Sequence, residues 1–293
     1  MTSGTKADLC QAKQSSMVSD QQVLSAFASE EMSSLPAVHR CTSAVTAIGT
    51  LAPDRLPEHF ADQLKAQDGA RPTYYASRGE LDSLRADSTW AMCMVLSPFK
   101  SPAGKFCDLI SRTGTSAGAV DTLLRDDQRR IIGLNTNVYA AWAALAVMAV
   151  PARAHNCLIL GTGATARSVA LALHSETQGG GPAGAVWGRD RHRTAELAAR
   201  YGLRAATEPA AHRWDVVINC TTVGETPGSD DSAEAIPQLR SVLQPGVLFW
   251  DLNSRLSRLQ AIALEAGCLV SSGRTMQRFV NKLRAYLFRS TGH

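Results

Sequence analysis

The sequence predicts an α/β protein organised around a parallel, doubly wound sheet. Three observations carry that reading. From residue 155 onward, short apolar runs alternate with helical stretches, the spacing that parallel strands and crossover helices require. The first of those runs ends in a glycine turn, Gly161-Thr-Gly163-Ala-Thr-Ala166, that opens a helix. The chain has 293 residues, 45% of them apolar and 19% charged, a globular balance with length for about two domains of roughly 150 residues.

The elements follow in order. Residues 1–36 are polar, and apart from a short helix at Gln21–Met32 they are expected to form a mobile arm. Ser43–Gly49 reads as a first strand, and Pro57 starts a helix that runs through Phe60 and Leu64. Thr73–Ala76 is a short strand. Trp90–Leu96 is almost free of polar residues and reads as a buried strand; Pro98 ends it, and Lys100 stands at the start of the next helix. Gly118–Leu124 and Arg130–Gly133 read as two strands about a turn at Asp126–Asp127. The Ala-rich stretch Asn137–Val150 is helical and stops at Pro151.

The doubly wound part then runs strand His155–Leu160, helix Arg167–His174, strand Ala185–Trp187, helix Thr194–Tyr201 and strand Val216–Cys220. Strand Val247–Leu252 and helix Leu256–Ala266 close it. The loop Thr226–Ala235, rich in Gly, Ser, Pro and Asp, is expected to be flexible.

Composition removes several function classes. The net charge is +4 and the 30 Lys and Arg are spread along the chain, so a nucleic-acid partner is not expected. The seven Cys are odd in number, far apart and free of C-x-x-C pairs, which argues against a zinc or disulfide framework and for a reducing compartment. The seven His form no close pair, and no G-x-S-x-G occurs, so neither metal chemistry nor a serine nucleophile is expected. The longest apolar stretch, Ala140–Val150, is about half of the roughly 20 residues a membrane span needs. With no secretory-type apolar run near residue 1, a cytoplasmic protein without a membrane partner is expected.

The glycine turn has a specific physical use. Gly161 permits the tight turn, Gly163 leaves room for a pyrophosphate to approach the backbone, and Ala166 lets helix and strand pack closely. The helix start offers free N–H groups and a partial positive charge. After the second strand stand Arg189, Arg191 and Arg193, whose guanidinium forks suit a ribose 2′-phosphate, whereas Asp190 suits a 2′-hydroxyl. NADP is expected in preference to NAD.

At this point the residues resemble the shikimate/quinate dehydrogenase family, from about Val45 to Phe288. Val95-Leu-Ser-Pro98-Phe-Lys100 is similar to V-T-x-P-x-K, and Ala117-Gly-Ala-Val-Asp121-Thr122 to G-A-V-N-T. Gly133-Leu-Asn135-Thr136-Asn137 is similar to G-x-N-T-D, and Gly161–Arg167 to G-A-G-G-A-x-R. Gly188-Arg189-Asp190 stands where N-R-T stands, and Asn219-Cys-Thr221-Thr222-Val-Gly224 is similar to N-A-T-S-x-G.

The resemblance implies two α/β lobes with a cleft between them. Residues 37–136, joined by a return of 259–293, would bind substrate, and residues 137–258 would form a Rossmann NADP-binding domain. It implies that Lys100 is catalytic and that Gly161, Gly163, Ala164, Thr165, Ala166, Arg167, Arg189, Arg193, Thr221, Thr222 and Val223 bind the cofactor. The substrate residues depart from the family pattern. Asp54-Arg55-Leu56 replaces a serine pair that binds the substrate carboxylate, Ser254 replaces a tyrosine, and the family's late glutamine aligns near Val280. Asn137 stands where the family has a catalytic aspartate and Asp121 where it has an asparagine, so Asp121 is expected to supply the missing acid, with Thr136 beside the substrate.

The expected function is NADP-dependent hydride transfer on a small cyclic hydroxy, amino or keto compound, with Asp54 and Leu56 speaking against shikimate itself. The alternatives are an inactive sensor of the same fold and a genuine shikimate or quinate dehydrogenase. A monomer or homodimer is expected.

Overall fold

The computed structural model describes residues 19–35, 45–48, 73–75, 80–87, 90–150, 156–177, 183–224, 236 and 239–290. The chain divides into two compact units. The N-terminal unit is Leu24–Ala140 with Arg278–His293, and the C-terminal unit is Ala141–Gln277 with Met1–Val23.

The N-terminal unit contains α1 (Asp20–Glu30), β1 (Val45–Ile48), β2 (Thr73–Tyr75), α2 (Glu80–Ala86) and β3 (Met92–Val95). These are followed by β4 (Leu109–Ile110), α3 (Arg112–Ala117), β5 (Thr122–Arg125), β6 (Ile131–Leu134) and the first turn of α4 (Thr136–Val147). Its six-stranded sheet has the order β2-β1-β3-β5-β6-β4. Strand β3 runs parallel to β1, while β5 is antiparallel to both β3 and β6. All four residues of β3 are buried, which is why its sequence shows no alternation. The expected strand–turn–strand about Asp126–Asp127 is the β5–β6 pair.

The helix expected at Gln21–Met32 is α1, and one expectation, the placing of Lys100, needs correction. Phe27 on α1 is fully buried, with edge-on contacts to Tyr139 and Tyr286 at 5.2 and 6.4 Å. Glu31, also fully buried, accepts from the backbone N and Oγ1 of Thr113 in the first turn of α3. Lys100 lies in a turn ahead of a short 3₁₀ segment, Pro102–Phe106, and not on a helix. The helix expected from Pro57, with Asp54 and Leu56, lies outside the described residues.

The C-terminal unit contains β7 (Asn156–Leu160), α5 (Ala164–Thr177), β8 (Ala183–Trp187), α6 (Arg191–Arg200), β9 (Arg204–Ala205) and β10 (Val216–Asn219). Then come α7 (Leu239–Val242), β11 (Leu248–Asp251), α8 (Arg258–Glu265) and β12 (Leu269–Ser272). The sheet order is β12-β11-β10-β7-β8-β9 and every pairing is parallel. Leu158, Leu160, Val217, Phe249 and Leu259 sit in its core. The two units thus hold separate sheets, the α/β architecture expected.

The return to the N-terminal unit starts later than expected. Residues 259–277 stay with the C-terminal unit, because β12 pairs with β11 as a sixth parallel strand. Only the later part of α9 (Arg274–Ser290) joins the N-terminal unit, through Phe279, Val280, Leu283 and Leu287, all buried on one stripe. No helix among the described residues is long and apolar enough to cross a membrane.

Candidate functional site

The C-terminal unit presents a topological switch point. From β7 the chain builds outward through β8 on one side and through β10 on the other, and such a fork opens a crevice beyond the strand ends. Two loops border it, the glycine turn after β7 and Asn219–Gly224 after β10. Gly161 has φ +106°, and its N–H donates to the Trp187 carbonyl at 2.7 Å. A Cβ there would lie 3.2 Å from Thr221 Cγ2 and 3.3 Å from the Cys220 carbonyl carbon, so the turn lies close against the second loop. Gly163 differs: it is exposed, and a Cβ there would meet no atom within 4 Å. Ala164 and Thr165 begin α5 half-buried, and Ala166 is fully buried against the sheet. Arg167 is half-buried, and burial lowers its pKa, with Tyr201 opposing.

Arg189 and Arg193 are exposed beyond β8. Asp190, between them, caps α6: its carboxylate accepts from the Arg193 N–H at 3.1 Å and lies 3.5 Å from Arg193 Nε. That structural task accounts for the acid without a ribose hydroxyl.

Thr221 lies beside the glycine turn. Its N–H and Oγ1 donate to Asn219 Oδ1 at 3.1 and 2.7 Å, and its Oγ1 accepts from Val223 N at 3.3 Å. Thr222 is exposed and Val223 half-buried. Beneath the loop is a residue that the sequence reading passed over. Asp251, fully buried at the end of β11, accepts at Oδ1 from Asn219 Nδ2 (3.0 Å) and from Asn253 N and Nδ2 (3.2 and 2.9 Å). At Oδ2 it accepts from Ser257 Oγ (2.6 Å) and Gln260 Nε2 (3.0 Å). The available signal was an aspartate closing an apolar strand, level with Asn219 on the neighbouring strand. Ser254 is exposed in the next bend, where its carbonyl accepts from Arg274 Nε.

The N-terminal unit gathers Lys100, Asp121, Thr136 and Asn137. The Lys100 carbonyl accepts from Val120 N at 2.7 Å, which places its backbone beside the strand that carries Asp121. Asp121 is fully buried. Its Oδ1 accepts from Thr122 Oγ1 (2.8 Å), Thr136 N (3.1 Å) and Thr136 Oγ1 (2.7 Å), and its Oδ2 from Asn137 N (2.7 Å). Asn135 Oδ1 accepts from Val138 N at 3.2 Å. The first three amides of α4 are therefore all satisfied by side chains, and the buried carboxylate lies at the positive end of the helix. The A-V-D-T and G-L-N-T-N motifs meet at one helix start.

Arg284, another residue the sequence reading missed, reaches this point from α9. Its Nη2 donates to the Asp121 carbonyl at 2.9 Å and lies 3.8 Å from Asp121 Oδ1, and its Nε donates to Thr122 Oγ1 at 3.1 Å. Burial lowers the pKa of this guanidinium, with Asp121 opposing. Val280, where the family's late glutamine aligns, is a buried core residue one turn earlier. Asn137 is 5% exposed, and its side-chain Nδ2 has no hydrogen-bond partner among the described residues.

Thiol chemistry has no support at these loops. Burial pushes the Cys220 thiol up, with the Asp251 charge adding, and pushes Cys157 up to about 12. Among the described residues no His, Cys, Asp and Glu cluster could hold a metal ion.

Comparison with known proteins agrees with this geometry. No family model matches the chain. The shikimate dehydrogenase (NADP(+)) of Thermus thermophilus is 32% identical over 181 residues, 61% of this chain and 65% of that protein. The Vibrio cholerae enzyme of the same name is 32% identical over 143 residues, 47% and 51% of the two chains. The chain thus spans about half to two thirds of the length of these curated relatives. Among solved structures, shikimate dehydrogenase from Aquifex aeolicus superposes with a TM-score of 0.70 at 22% identity, covering 85% of this chain and 92% of that one. The Thermus thermophilus enzyme in complex with NADP(H) and shikimate gives 0.66 at 24% identity, covering 85% and 97%. The chain is thus similar in sequence to shikimate dehydrogenases and shares their fold.

Proposed function

We propose that the chain is an NADP(H)-dependent oxidoreductase of the shikimate dehydrogenase type, interconverting a hydroxyl and a carbonyl on a small cyclic compound. One observation carries the reading. At the switch point of a parallel sheet, Gly161 is constrained by its own neighbours, whereas nothing among the described residues requires a glycine at 163. A phosphate group approaching the backbone there supplies the missing reason. The relatives whose names include NADP(+) point to the same cofactor.

In this reading Gly163, Ala164 and Thr165 present the start of α5 to the pyrophosphate, Arg189 and Arg193 hold the 2′-phosphate, and Thr221, Thr222 and Val223 form the facing wall. The bound nicotinamide supplies or accepts the hydride. Lys100 gives a proton to the substrate oxygen in reduction and takes it back in oxidation. Asp121 holds the backbone of Thr136 and Asn137 at the start of α4 and so fixes the groups next to the substrate.

The changed-substrate expectation gains nothing from the comparisons. It rests on Asp54 and Leu56, outside the described residues, and the relatives are named shikimate dehydrogenases. Shikimate therefore heads the assay panel, followed by other cyclic hydroxy and amino compounds. The test measures NADPH binding by fluorescence titration and NADP⁺ reduction with each compound. No NADPH binding would end the proposal.

A second reading has one observation in its favour. The Asp121 carboxylate already takes four hydrogen bonds, and an amide at 137 cannot serve as a base. A binding module without turnover would fit that arrangement. Cofactor and ring-compound binding without any reduced nicotinamide formed would select it.

A further inference from the structure

We infer that Asp251, remote from any reacting atom, is a positioning residue that sets the width of the dinucleotide crevice by fixing the loop Asn219–Gly224. The inference rests on the dinucleotide reading above and goes beyond it, because it gives Asp251 a role that neither the cofactor motifs nor the relatives' names supply.

The argument starts with donor counting. Five donors converge on the Asp251 carboxylate, three at Oδ1 and two at Oδ2. Only an acceptor on both sides satisfies that set, and among side chains of this size a carboxylate alone provides it. The consequence travels outward in two arms. In one arm, Asn219 spends its Nδ2 on Asp251, which turns its Oδ1 toward Thr221, where it takes both the N–H and the hydroxyl. The carboxylate therefore decides which end of the Asn219 amide faces the loop. In the other arm, Asn253 is held at both N and Nδ2 by Asp251, and its Nδ2 also donates to the Val223 carbonyl at 2.7 Å. Arg255 Nε donates to the next carbonyl, Gly224, and the Arg255 carbonyl accepts from Gln260 Nε2, itself bound to Asp251.

Both ends of the loop are thus tied to one buried charge. Thr221, the residue at the end of the first arm, is, with Cys220, one of the two that a Cβ at Gly161 would meet. A loop free to shift there alters the gap between the two walls of the crevice. The carboxylate is fully buried, as is Asn219, and Ser257, Asn253 and Gln260 are 5%, 6% and 3% exposed, so water is poorly placed to substitute for any member.

The test compares wild type with Asp251→Asn, and with Asn253→Ala as a milder variant that cuts only the second arm. Two measurements are made, NADPH affinity by fluorescence titration and backbone amide exchange by mass spectrometry. Asp251→Asn is expected to weaken NADPH at least tenfold and to speed exchange of the Thr221 and Val223 amides at least tenfold. Exchange in β7, on the far side of the glycine turn, stays within twofold. Asn253→Ala is expected to give the same pattern at smaller amplitude, with KM for NADP⁺ raised and kcat at saturation within twofold. A purely structural role would instead speed exchange in β7 together with the loop, and that result overturns the inference. So does unchanged loop exchange in both variants. Faster loop exchange in a protein that never binds NADPH would uphold the loop tether and sink the dinucleotide reading alone.

Discussion

The two glycines of the turn offer a discriminating experiment, because the structure assigns their constraints to different sources. Consider Gly161→Ala and Gly163→Ala. At 161 the backbone has φ +106°, a conformation that costs an L-residue about 1–2 kcal/mol. The added methyl would also lie 3.2–3.3 Å from Thr221 Cγ2 and the Cys220 carbonyl, and overpacking of that kind typically costs about 1–3 kcal/mol. The sum, about 2–5 kcal/mol, is a large share of the roughly 5–15 kcal/mol that holds a protein folded. At 163 the methyl meets nothing within 4 Å, so no steric cost arises in the free protein, and reduced freedom of the unfolded chain offers a gain of up to about 1 kcal/mol. The same methyl would occupy the approach path of a phosphate. Urea unfolding gives the stabilities and NADPH fluorescence titration gives the affinities. Gly161→Ala should shift the urea midpoint down with the slope unchanged. Gly163→Ala should leave the midpoint in place or raise it, yet weaken NADPH at least tenfold, about 1.4 kcal/mol. Wild-type affinity in Gly163→Ala would refute the phosphate argument, and unchanged stability in Gly161→Ala would refute the steric one.

Three further outcomes are expected. Arg189→Ala should weaken NADPH about 10- to 100-fold and NADH little, as read by the same titration; equal losses would show that Arg189 does not recognise the 2′-phosphate. Lys100→Ala should lower turnover about 10²- to 10⁴-fold in the steady-state assay with NADPH affinity unchanged, and full turnover would remove Lys100 from the chemistry. Asp121→Asn should cost about 1–3 kcal/mol in urea unfolding, since an amide nitrogen must then face either the Asn137 N–H or the three donors at Oδ1; a change below about 0.5 kcal/mol would deny the helix-capping role.

Much of the fold was legible. The all-parallel sheet followed from alternating apolar runs and helices, since each crossover leaves its own period in the sequence. Strand β12 was missed because its residues Leu269–Ser272 are exposed or half-buried at a sheet edge, with no apolar run to mark them. That omission moved the return to the N-terminal unit from Arg278 to Leu259. Arg284 was missed for a related reason: arginine on a C-terminal helix normally reads as surface. Its position says otherwise, because Val280, Leu283, Arg284 and Leu287 follow the 3, 4, 7 spacing of one buried stripe.

The acids show where residue type misleads. Asp190 suited a ribose hydroxyl and Asp121 the missing acid, while Asp251 was given no role, yet in the structure all three close backbone or loop ends. A carboxylate that caps a helix and one that holds a ligand present the same chemistry, so spacing in the sequence does not separate them. What separates them is how many donors the chain itself supplies. Asp251 receives five and Asp121 four, which leaves little of either carboxylate for a ligand. Asn137 is the reverse case. It is nearly buried at the start of α4, its backbone N–H is held by Asp121, and its side-chain Nδ2 has no hydrogen-bond partner among the described residues. A buried amide without partners is costly unless something repays it. The exchange of acid and amide between 121 and 137 therefore separates two places in the structure, with the acid holding the helix start and the Asn137 Nδ2 donor left without a partner among the described residues.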